Sequence, residues 1–172
     1  GMGGCTARAV TGRVGCALGS LGYLFGGLEN VILAVNERTL QDMRRYMFGQ
    51  VGICPHADAR ERLTILALAY FSYARDHQNR WNALFLLRFA SQEELPDEYL
   101  ALGNGLMWRI RAMDSAELNI PGDQWPVLTC TMYEAVHGVV VLGLDRRLGG
   151  SGKDVEARIR LLVARLVQPP AG

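Results

Sequence analysis

Cys54 and His56, one proline apart in the stretch GICPHAD, are the first residues to test for chemistry. A thiol beside an imidazole is the pairing that activates a cysteine nucleophile. No third group is identifiable to orient the imidazole, and no second cysteine pair completes a metal site. The pair therefore reads as incidental within a linker. Cys5, Cys16 and Cys130 are widely scattered and follow no framework spacing. With no secretory signal in view, reduced thiols in a cytoplasm are the simpler expectation. The glycines from Gly12 to Gly27 follow no strand and so form no phosphate cradle. Asp76 and His77 fall at a helix end, where no further role is required. His137 reads as a core or interface histidine satisfied by a neighbouring helix. No catalytic residue, metal or cofactor is expected.

A different chemistry, contact with base edges and phosphates, fits residues 6–40, TARAVTGRVGCALGSLGYLFGGLENVILAVNERTL. They read as a short helix, a glycine-marked turn, a second short helix and a long amphipathic helix. That is the layout of a helix-turn-helix reader of duplex DNA, whose second helix enters the major groove. Thr6 caps the first helix, which carries Val10 and Val14 and stops at Gly15. The second runs from about Ala17 to Phe25 with Leu21 and Phe25 facing inward, leaving Leu18, Ser20 and Tyr23 other directions to point. Arg8 and Arg13 are candidate phosphate clamps, against the plainer reading of a solvated face.

Positioning these residues falls to a frame that reads as all-α, because apolar stripes at helical spacing recur and sustained alternation is absent. Gly26 and Gly27 break the second helix, and Leu28, Ile32, Val35, Met43 and Tyr46 mark one stripe of a long connecting helix ending near Gly49. Gly49 to Ala57 is the linker candidate, dividing a unit at 1–49 from a larger one at 50–172. Asp58 with Glu61 is a capping-box signal opening a helix through Leu63, Leu66, Tyr70 and Ala74. Further helices are expected from Asn79 to about Ala90, where Arg88 interrupts the stripe and Phe89 resumes it, and from Pro96 through Met113. A loop rich in turn-formers spans Asp114 to Gly122. Asp123 is read as the cap of a long helix reaching about Leu148, Gly149 to Gly152 as a break, and Asp154 to Val167 as the last helix.

Of the 172 residues 49% are hydrophobic, enough for one domain with a small appendage, and the net charge of +1 leaves any DNA contact to a local patch. No uncharged run resembles a membrane span, VHGVVVLGL being too short, so no membrane partner is expected. The final two helices carry more apolar surface than a small domain buries. Pairing with a second copy through Met132, Val136, Val139, Ile159, Leu162 and Val163 is one solution, and a buried central helix within a monomer is the other.

On these residues the chain resembles the tetracycline-repressor (TetR) family of transcriptional regulators. The match runs from Thr6 through RVGCALGSLGYLF and LENVILAVNERTL, and a second match covers LALAYFSYARDHQNRWNALF and YEAVHGVVVLGL. The resemblance implies an all-helical homodimer whose amino-terminal unit binds operator DNA and whose larger domain holds a small-molecule effector. It also implies that the first helix of the DNA-binding unit is missing, with the native start upstream of Met2. Carried over by position, Thr6 and Arg8 open the helix that approaches the phosphates, and Leu18, Ser20 and Tyr23 are the groove contacts. Gly22, Leu24 and Leu28 stand where the family commonly has tyrosine, histidine and lysine, positions that usually supply phosphate contacts, so weak DNA binding is expected. Phe71, Trp81, Phe85, Met107 and Trp108 are either core or the lining of an effector pocket, whose ligand is then apolar or aromatic. The alternative function is a dimeric ligand-binding or protein-interaction module that has lost DNA binding.

Overall fold

A computed structural model describes residues 5–85, 95–113, 116–145 and 154–167. Among the described residues there are eight α-helices and no strand, the all-α frame that the spacing implies. Thr6 starts α1 (Ala7–Val14) by accepting the Ala9 N–H at 3.1 Å, and Gly15 ends it in the left-handed region. After a short turn comes α2 (Leu18–Phe25). Gly26 and Gly27, at φ 74° and 152°, then turn the chain 63° into α3 (Leu28–Gly52), a corner that side chains with a Cβ rarely adopt.

The phase of α3 differs from the expected stripe. Its buried residues are Leu33, Asn36, Thr39, Met43 and Met47, while Val35 and Tyr46 are exposed and Leu28 and Ile32 half-buried. Two polar residues sit on the inner face, and they carry no apolar signal. Asn36 is fully buried and its Nδ2 donates to the Ala83 carbonyl at 3.1 Å, whereas its Oδ1 has no partner among the described residues. The Thr39 hydroxyl donates to the Val35 carbonyl of its own helix at 2.7 Å.

The centre of the larger unit is α4 (Ala59–Asp76), which packs against α3, α5, α7 and α8. Its capping box is complete: the Glu61 N–H donates to Asp58 Oδ1 and the Asp58 N–H to Glu61 Oε2. The 3₁₀ turn Ala116–Leu118 is tied to the same helix start, where Glu117 accepts from the Ala59 N–H at 3.0 Å and pairs with Arg62 at 2.9 Å. The helix expected from Asn79 is shorter than its stripe: α5 (Gln78–Ala83) stops after six residues, and Arg88 and Phe89 lie outside the described residues. Pro96 opens α6 (Asp97–Arg111).

Two further expectations are corrected in α7 (Trp125–Leu144) and α8 (Val155–Leu166). Asp123 does not cap α7; Gln124 holds that position without a side-chain bond, and the helix start is anchored by Trp125 Nε1 donating to the Arg111 carbonyl at 2.9 Å. Met132, Val136, Ile159 and Val163, expected to face a second copy, are buried within the single chain, because α7 and α8 turn these residues onto each other and onto α4. Val139 and Leu162 are half-buried beside them. Gly143 permits that closeness, since a Cβ there would run into the Val155 side chain. By length and composition α7 could cross a membrane, which the short run VHGVVVLGL did not suggest, but its Trp125–Thr129–Met132–Val136–Val140 stripe is buried in the bundle.

Candidate functional site

Two places could carry function: the outer face of α2 and the interior between α3, α4, α6 and α7. On α2, Tyr23 is 90% exposed, Leu18 is 52% exposed and Ser20 is half-buried, while Leu21 turns inward. The segment around Ser20 is thus a helix presented outward. Thr6 and Arg8 are exposed at the start of α1, and neither Arg8 nor Arg13 meets a carboxylate among the described residues. No charged residue lies in α2 itself. Val14 and Phe25, expected to pack inward with Leu21, are instead exposed, so the apolar surface behind the two short helices stays open among the described residues.

Inside the bundle, Met47 of α3, Leu63, Leu66 and Tyr70 of α4, Ile110 of α6 and Met132, Tyr133 and Val136 of α7 line a cavity of about 30 Å³. No charged side chain touches it. Its surface is almost wholly apolar, and beside it lies a hydrogen-bonded cluster built on the Tyr70 hydroxyl. Trp81 Nε1, which can only donate, gives its hydrogen to that oxygen at 3.0 Å, and His137 Nδ1 lies 2.8 Å from it. The Tyr133 ring lies edge-on to Tyr70 and stacks on His137. Phe85 closes the outer side, 5.2 Å from Trp81 and 4.6 Å from His137 between ring centroids.

Burial sets the charge state of this cluster. Removal from water, with Tyr133 alongside, pushes Tyr70 far above the ordinary tyrosine range, and burial likewise raises Tyr133. The same desolvation lowers His137 below its usual value, so its imidazole is neutral near pH 7. The cluster is uncharged, and the cavity beside it presents an apolar surface.

None of Phe71, Trp81, Phe85, Met107 and Trp108 lines that cavity. Trp81 and Phe85 come together one layer behind it, holding Tyr70 and His137. Phe71 is buried elsewhere on α4 with the Arg75 guanidinium over its ring, Met107 is half-buried, and Trp108 is 69% exposed. Tyr70, Tyr133 and His137 were not singled out as pocket residues. The available signal was the pairing of Tyr133 and His137 one turn apart on α7. His137 is satisfied by a neighbouring helix, as its core reading holds.

Among the described residues no group of three His, Cys, Asp or Glu side chains could hold a metal ion. Cys54 and His56 are both exposed in the turn between α3 and α4. Compared with known proteins, residues 63–166 match a family model described as the tetracyclin repressor-like C-terminal domain, a span of more than half the chain. No curated protein matches the chain.

Proposed function

Because the chain belongs to the tetracyclin repressor-like family, we propose that it is a ligand-responsive transcriptional regulator, acting as a repressor that binds operator DNA as a homodimer in the cytoplasm. The observation that carries this reading is the double membership of α3. Its first residue follows the glycine corner that sets α2, and Met47 near its other end forms part of the cavity wall. A ligand that moves Met47 therefore acts on the helix that aims α2. The partners on this reading are duplex DNA and an apolar or aromatic effector, and no catalytic step or cofactor enters.

The working division is a reading unit at 1–49, with Thr6, Arg8, Leu18, Ser20 and Tyr23 toward DNA, and an effector and dimerisation unit at 50–172. For the dimer, the last two helices offer Val127 and Leu142 on α7 and Leu161 on α8 as exposed apolar residues, with Val139 and Leu162 half-buried. Met132, Val136, Ile159 and Val163 serve the core.

One observation favours the alternative of an interaction module without DNA binding. The second short helix offers no cation, and Leu18, Tyr23, Leu24 and Phe25 make it apolar outside. Fluorescence anisotropy with duplex genomic fragments across a salt series separates the two. The regulator loses affinity steeply and linearly in log salt. Binding that is absent at low salt, or indifferent to sequence, would refute the operator-binding reading.

A further inference from the structure

A third place in the molecule is an open groove where the turn between α3 and α4 meets the first turns of α4 and the side of α8. Cys54 and His56 open onto it, and it shares no lining residue with the inner cavity. Its space of about 720 Å³ falls within the roughly 300–1,000 Å³ of small-molecule sites.

The polar groups of the groove are unbalanced. Two guanidiniums line it, Arg60 from α4 and Arg160 from α8, and neither pairs with a carboxylate among the described residues. Arg60 donates one N–H to the Val167 carbonyl at 3.4 Å, which leaves most of its donors unused. Arg160 is exposed and has no hydrogen-bond partner among the described residues. The acid of the lining is Glu61, whose Oε2 already accepts the Asp58 N–H in the capping box. The Thr64 hydroxyl is also engaged, donating to the Arg60 carbonyl at 2.9 Å. An apolar flank lies beside these cations: Ile53 is 72% exposed, Pro55 is exposed and Ile65 half-buried.

We propose that this groove is a ligand site of its own, which takes an organic carboxylate with an apolar body. A guanidinium fork holds a carboxylate through two parallel hydrogen bonds, so the free donors of Arg60 and Arg160 are matched in kind. An organic cation entering the groove meets two like charges. A neutral apolar molecule covers Ile53 but leaves both guanidiniums unmatched, and a bare inorganic anion leaves the apolar flank in water. The combination of head and body is what the lining selects. This site goes beyond the regulator reading and requires neither operator DNA nor the inner cavity.

Cys54 makes the site observable, because an occupant of the groove shields its thiol. Cys16, exposed between α1 and α2 and outside the groove, is the internal control. Mass spectrometry of the whole chain follows iodoacetamide alkylation of both thiols with 2-naphthoate, 2-naphthamide or inorganic phosphate present. At saturation 2-naphthoate is expected to slow Cys54 about fivefold and leave Cys16 unchanged. Its half-saturating concentration should lie about tenfold below that of 2-naphthamide in about 0.02 M salt, and approach it in about 0.5 M. Arg160→Gln removes an exposed side chain without a partner and should abolish most of that preference. Ile53→Asn should weaken both naphthyl probes about threefold. The proposal is overturned if 2-naphthamide protects as well as 2-naphthoate at low salt, or if inorganic phosphate does. It also fails if Arg160→Gln keeps the preference, or if no probe slows Cys54. Each of these outcomes is read without DNA, so the operator-binding reading stands or falls separately on its own salt series.

Discussion

Replacing Tyr70 by phenylalanine removes one oxygen on which two helices and a strut converge. Trp81 is 3% exposed and its Nε1–H has only the Tyr70 oxygen as acceptor among the described residues, 3.0 Å away. Leaving a buried donor unsatisfied costs about 1–3 kcal/mol, and losing the bond to the half-buried His137 adds about 0.5–1.5 kcal/mol. Part of this is offset because a phenyl ring has no hydroxyl to desolvate. The net expectation is about 2–3 kcal/mol, which for a chain of this length lowers Tm by roughly 4–12 °C. The decisive measurement is a double-mutant cycle with Trp81→Phe in urea, at fixed protein concentration. With the indole gone, Tyr70→Phe no longer strands a donor, so the double variant should be about 1–2 kcal/mol more stable than the sum of the singles implies. Additivity within about 0.5 kcal/mol would refute the claim that Tyr70 exists to satisfy Trp81.

Three other outcomes are expected. Burial holds the folded His137 below its ordinary value of about 6.5, so between those two values the unfolded chain binds more protons and stability falls as pH drops through about 6.5; in His137→Phe this part of the pH dependence should vanish from urea titrations. Gly143→Ala forces a methyl group into Val155 and should destabilise by about 1–3 kcal/mol in urea, with Val155→Ala on the same chain recovering part of the loss. Leu28→Lys adds a cation at the start of the connecting helix, and should raise duplex affinity at low salt and steepen the log–log salt slope by about 0.9; an unchanged slope would mean that this helix start does not approach phosphate.

The punctuation of the fold was readable from single residues. Thr6, Gly15, Asp58 with Glu61, and Pro96 each mark a helix end because each answers a local need of the backbone, a cap, a left-handed turn or a fixed φ. Rotational phase was harder to read. On α3 the inner face includes Asn36 and Thr39, whose Nδ2 and hydroxyl donate to a carbonyl of α5 and to the helix itself, and a search for apolar spacing passes over them. The interior site was obscured for a related reason. Aromatic residues at helical spacing look alike whether they line a space or fill one, and Trp81 and Phe85 turned out to brace Tyr70 and His137 from behind. Likewise the apolar excess of the last two helices was evident, but the assignment of Met132, Val136, Ile159 and Val163 to the core depended on where α4 lies.

The length of α3 turns small internal shifts into large external ones. It runs 25 residues without a break, and from Met47 back to Leu28 it spans roughly 28 Å at 1.5 Å per residue. Pushed near Met47, a helix that tilts by about 5° over this span carries its far tip by roughly 2.5 Å. In a two-fold pair the tips travel in opposite senses, so their spacing changes by about 5 Å, more than the 3.4 Å step between stacked bases. On the proposed regulator reading, a rigid lever of this length turns a small shift near Met47 into a change in the spacing of two reading heads.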